Sequence, residues 1–128
     1  MRHITVNFIR PSADRASGFA ALTESTWLVE NAEHLRSTHS RSKDKLHILL
    51  VGQTDAIPEG VLESLRSSCV VHDVAREYDA LAAEFPNVMT TFGGPYSIFG
   101  FGFLRWLLID RVFPGEPVLC YDGDIVHN

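Results

Sequence analysis

Four short apolar runs and one longer one, each closed by polar or turn-forming residues, set the pattern of this chain. The first, Ile4-Thr5-Val6-Asn7-Phe8-Ile9, is rich in β-branched and aromatic residues and predicts a strand that Arg10-Pro11-Ser12 ends. From Asp14 to about Ser37 the residues Ala21, Leu22, Ser25, Leu28, Val29, Ala32 and Leu35 form a largely apolar stripe at three- and four-residue spacing, which predicts a long helix. Thr38 to Asp44 reads as a loop. Leu46 to Gly52 is almost continuously apolar, as a parallel strand covered on both faces requires.

Pro58 suits the first turn of a helix with Val61, Leu62 and Leu65 inward, and Cys69 to Val74 predicts a short third strand. Tyr78, Leu81, Ala82 and Phe85 mark a further helix, taken to stop at Pro86. Val88 to Pro95 reads as irregular because Gly93-Gly94-Pro95 is a strong breaker. A last helix is predicted from Ser97 or Phe101 to Val112, weakened at its start by Gly100 and Gly102. Pro114-Gly115-Glu116-Pro117 then leads into a final strand beginning at Val118. The order β-α-β-α-β-α-α-β predicts one Rossmann-like α/β domain over residues 1–128, a mostly parallel sheet with helices on both faces.

Composition narrows the function classes. Eleven basic against sixteen acidic residues give a formal charge of −5, which argues against general nucleic-acid binding. Cys69 and Cys120 lie in apolar, strand-like runs with no zinc-type spacing, so buried thiols in a reducing, cytoplasmic setting are expected. The six histidines are scattered. The N-terminus lacks the apolar core of a signal peptide, and Ile98 to Phe113 is too short to span a bilayer and carries Arg105 and Asp110.

One stretch reads as chemistry. Val118-Leu119-Cys120-Tyr121 runs into Asp122-Gly123-Asp124. Residues two apart in a strand share a face, and Gly123 allows the bend that two carboxylates need to converge on one hard cation. Paired carboxylates suit Mg²⁺ or Mn²⁺, whose shells are completed by water and phosphate oxygens. Asp-Gly is also a common turn dipeptide, so a plain turn with no chemistry is the alternative. Ligands of open parallel sheets bind beyond the carboxyl ends of the strands, and both Asn7 to Ser12 and Asp122 to Asp124 leave strands there.

Phe103-Leu104-Arg105-Trp106-Leu107-Leu108, followed by Val118 to Asp124, resembles the nucleotide-binding half of GT-A-fold glycosyltransferases. The nearest pattern is the glycogenin-like and lipopolysaccharide-galactosyltransferase-like group. In that group a helix bearing a basic residue leads through a Pro-containing turn into a strand ending in Asp-x-Asp. Arg105 precedes Asp122 by 122 − 105 = 17 positions, similar to the group's spacing. The resemblance implies Mn²⁺ (or Mg²⁺) held by Asp122 and Asp124 against a nucleotide-diphosphate sugar, foremost a UDP-sugar. Gly123, Arg105, Asn7 and Arg10 complete the implied binding set.

The loop Arg10-Pro11-Ser12-Ala13-Asp14 departs from the family's usual sequence there, and four residues follow Asp124. A GT-A domain incomplete at its C-terminus is therefore expected, with no catalytic residue assigned and no sugar transfer by this chain alone. Self-association through the truncated sheet edge is expected too. Two alternatives stay open. Asp122-Gly123-Asp124-Ile125-Val126 also matches the nucleophile motif of haloacid-dehalogenase-like phosphatases, and the chain could be a non-catalytic α/β binding module.

Overall fold

The computed structural model describes residues 2–9, 45–95 and 98–122. The helix expected over Asp14 to Ser37 lies outside them, as do Arg10, Gly123 and Asp124. Four strands, β1 (Arg2–Ile9), β2 (Leu46–Gly52), β3 (Val70–Asp73) and β4 (Val118–Asp122), form one sheet in the order β3-β2-β1-β4, and every pairing is parallel. Among the described residues the helices are α1 (Glu59–Ser68), α2 (Ala75–Ala83), α3 (Pro86–Phe92) and α4 (Ile98–Val112), with a 3-10 turn at Thr54–Ala56. The α/β fold with a parallel Rossmann-like sheet is thus as the sequence implied.

Right-handed crossovers explain which face each helix takes. The step from β2 through α1 to β3 moves away from β1. The step from β3 through α2, α3 and α4 to β4 returns past β1 to its other side, so these helices cover the opposite face. Two apolar layers result. Ile4, Val6, Leu49 and Val51 pack with Tyr78 and Leu81 of α2, Met89 of α3, and Leu104, Leu108 and Ile109 of α4. Ile9, Leu46, Ile48 and Leu50 pack on the other face with Val61 and Leu65 of α1. The alternation along β2 is therefore between two buried faces, which is why its sequence is nearly all apolar. Each fully buried side chain of this size contributes roughly 1.5–3 kcal/mol.

The end of β2 passes close beneath the end of β1. Gly52 has φ +90, and a Cβ built there would stand 2.1 Å from the Ile9 carbonyl oxygen. Only glycine meets both conditions. The next residue, Gln53, donates its backbone N–H to that same oxygen at 2.7 Å.

One expectation is corrected. The stretch after Pro86 is helical, not irregular: Pro86 opens α3, and Gly93 at φ 85 caps it. The final helix, expected from Ser97 or Phe101 to Val112, runs from Ile98 to Val112 through Gly100 and Gly102. Cys69 is buried and Cys120 half-buried, with no disulfide between them.

Candidate functional site at the carboxyl edge of the sheet

β1 connects to β2 on one side and pairs with β4 on the other, so the sheet reverses its direction of winding between β1 and β4. Crevices at such points are the usual ligand sites of open α/β sheets, because the loops leaving the two strands diverge to opposite faces. The registers define the floor of this one. Asn7 of β1, Leu50 of β2 and Asp73 of β3 form one row across the sheet. Asp122 at the end of β4 pairs with Val6, one residue behind that row. Asn7 and Asp122 thus stand on adjacent strands within one residue of the same level.

β1 also carries the two buried polar side chains found among the described residues, Thr5 at 2% and Asn7 at 7% exposure. They lie on the Ile9 side of the strand, and neither Thr5 Oγ1 nor Asn7 Nδ2 has a hydrogen-bond partner among the described residues. Buried polar atoms are nearly always paired in native proteins, so two orphans on consecutive same-face positions set this strand apart.

Asp73, the other carboxylate at this edge, is occupied structurally. Its Oδ2 accepts from Thr54 Oγ1 at 2.8 Å, and its Oδ1 accepts from the Ala75 backbone N–H at 3.2 Å. It ties the turn after β2 to the start of α2. Sequence reading missed this role, in which an Asp accepts from the backbone N–H two residues on, as Asp side chains do in turns.

α4 runs antiparallel to the strands. Its first turn meets the carboxyl end of β1, with the Phe101 and Phe8 ring centroids 6.0 Å apart. Its far end delivers Phe113 to the opposite edge. Arg105 lies four residues beyond Phe101, about 6 Å back along the helix axis. Two strand residues span about the same distance, so the Arg105 backbone is about level with the Val6–Asp122 row. Arg105 is half-buried, and its guanidinium carbon lies 5.2 Å from the Trp106 ring centroid.

The structure therefore sets Asn7 and the backbone of Asp122 on adjacent strands, while Asn7 is on the sheet face that α1 covers and Arg105 belongs to α4, which covers the opposite face. Arg10, Gly123 and Asp124 fall outside the described residues. Among those described, no group of three or more His, Cys, Asp or Glu side chains could hold a metal ion, and no helix is long and apolar enough to cross a membrane. Among the described residues, His72 and Glu116 have displaced pKa values; the His72 backbone stands in the Val6–Asp122 row, on β3, and Glu116 precedes β4. No family model, curated protein or solved structure matches the chain.

Proposed function

We propose that the carboxyl edge between β1 and β4 binds a nucleotide-diphosphate sugar, foremost a UDP-sugar, through Mn²⁺ or Mg²⁺ held by Asp122 and Asp124. The observation that carries this reading is the strand order β3-β2-β1-β4 with Asp122 opposite Val6. It makes the end of the Asp-Gly-Asp strand one wall of the reversal crevice, where such sheets bind nucleotides. The donor chemistry fits the ion: two carboxylates offer hard oxygen ligands and leave most of a six-coordinate shell to water and diphosphate. The ion would neutralise the diphosphate and, in transfer, the leaving group.

Arg105 is proposed as a second positive group toward phosphate or sugar oxygens, which a guanidinium can grip in bidentate fashion. Gly123 keeps the backbone open to a bulky anion. Asn7 and Arg10, at and after the end of β1, are proposed for the nucleoside end. The activity proposed for these 128 residues is donor binding, within a glycosyltransferase of cytoplasmic location.

Titration calorimetry with UDP, with and without Mn²⁺, tests the reading. Metal and diphosphate should strengthen one another's binding about 10- to 100-fold, a coupling of ordinary size for two ligands sharing contacts. Asp122→Asn with Asp124→Asn should remove the Mn²⁺ effect. Arg105→Met should weaken UDP binding while leaving the melting temperature within a few degrees. UDP binding indifferent to Mn²⁺ and to the paired Asn substitutions would overturn the proposal. Turnover of a simple phosphoester in place of UDP binding would favour a phosphatase. Binding of neither would leave a non-catalytic module.

A further inference from the structure

On the sheet face that α2 and α4 cover, three basic side chains meet in a line that runs from the amino ends of β1 and β2 to His72 within β3. Arg2 NH1 of β1 lies 3.2 Å from His47 Nε2 of β2, and His47 Nδ1 lies 2.9 Å from His72 Nε2 of β3. The histidine planes are inclined by only 20°, with ring centroids 5.2 Å apart. That separation exceeds the nitrogen–nitrogen distance by 5.2 − 2.9 = 2.3 Å, about two ring radii, so the rings meet edge to edge through their nitrogens rather than face to face.

The direction of the hydrogen bonds follows from donor chemistry. A guanidinium only donates, so His47 Nε2 accepts from Arg2. The His47 proton is then on Nδ1 and is given to His72 Nε2, which leaves the His72 proton on Nδ1. We propose that this one-way chain, Arg2 to His47 to His72, is a pH-sensitive tie across this face of the sheet that holds at neutral pH and breaks when either histidine gains a second proton. Protonated His47 would turn an Nε2–H against the Arg2 donor. Protonated His72 would turn an Nε2–H against the His47 donor.

Aromatic and charged groups surround the chain. The Phe113 ring, just past α4, presents a near-perpendicular contact to both histidines, with centroids 5.3 and 5.5 Å away. Arg2 lies over the same ring at 4.9 Å. Glu116, in the connection to β4, is ion-paired with Arg2 and also within electrostatic reach of His47. At the C-terminal ends of α2 and α4, Glu84 and Arg111 pair with one another. Burial and, secondarily, the Arg2 charge lower the His72 pKa below its ordinary value.

The sign follows from that direction. His72 takes its proton less readily folded than unfolded, so the unfolded chain binds more protons as pH falls below about 6.5. The stabilisation is complete above that value and is lost as pH falls toward the lower folded pKa. The tie also bears on β4: Arg2 holds Glu116 by its side chain and the Pro117 carbonyl by its backbone N–H, at 3.2 Å. Acid release of the tie would therefore loosen the strand that ends in Asp122.

Nitrogen-15 histidine spectra of the full chain at pH 7.5 test the bond direction. Both His47 and His72 should be Nδ1–H tautomers, the less common form in water. Thermal melts from pH 7.5 to 5.5, compared between the native chain and His72→Gln, test the switch. The Gln side-chain oxygen can accept from His47 Nδ1–H without titrating, and the other histidines contribute to both curves. The native chain should lose about 5 °C more than His72→Gln over this range, the size a small domain shows for a modest free-energy change. An Nε2–H tautomer at His47, or parallel melting curves, would overturn the proposal. Should His72→Gln fail to fold, the tautomers of the native chain decide it.

Discussion

Thr5 shows how little a residue's chemical type says about its cost. Its hydroxyl is enclosed in the middle of the central strand, between register partners Ile48 and Tyr121, and has no hydrogen-bond partner among the described residues. A buried polar atom left unsatisfied costs about 1–3 kcal/mol, whereas an apolar group of the same shape has no such penalty. Thr5→Val keeps the β-branch and removes the polar atom. It should raise stability by about 1 kcal/mol, read as a higher urea midpoint at unchanged slope. A loss of stability would show that the hydroxyl is paired after all, by an internal water or otherwise. The sequence revealed the strand around Thr5 but could not reveal the orphaned atom, since a Thr in a strand is ordinary and pairing depends on neighbours from elsewhere in the chain. Arg105 is the opposite case: a lone charge in the apolar run Phe103 to Leu108 is visible in one dimension.

Elements were legible where one signal dominated and hidden where a signal had two meanings. The four strands were readable because buried parallel strands leave continuous apolar runs. α3 was not, because proline and glycine were taken only as breakers. Pro86 sits in the first turn, where its missing N–H costs nothing, and Gly93 supplies the left-handed cap whose neighbour Gly94 donates to the Met89 carbonyl at 2.6 Å. The two residues that looked like an end and a gap are the start and stop of one helix. Gly93→Ala should accordingly cost about 1 kcal/mol, since a Cβ disfavours φ 85. Gly102 in α4 is the contrasting position. A Cβ there meets nothing within 4 Å, so Gly102→Ala should stabilise by about 0.5–1 kcal/mol through helix propensity. Equal effects in the two variants, by chemical denaturation, would contradict the capping role of Gly93.

At the scale of the molecule, the parallel sheet and its two covered faces followed from the order of periodic segments, and so did the idea that both candidate loops leave one edge. The rows across the sheet did not follow, because register depends on which strands are neighbours, and β1 and β4 lie at opposite ends of the sequence. The same long-range pairing placed His47 beside His72, two residues that each look like an isolated polar interruption of a strand. The sheet also divides the core into two layers that share a backbone but no side chains. Ile109 of α4 and Ile48 of β2 are buried in different layers, at 3% and 0% exposure. Ile→Val at either removes one methylene and should cost about 1 kcal/mol. Sites that share no partners add to within about 0.5 kcal/mol, so the double variant should lose about 2 kcal/mol in urea denaturation. A coupling energy above about 1 kcal/mol would mean that a cavity on one face is felt on the other. The sheet would then transmit strain between its faces, and acid loosening of the Arg2–His47–His72 tie would reach the carboxyl edge through the backbone alone.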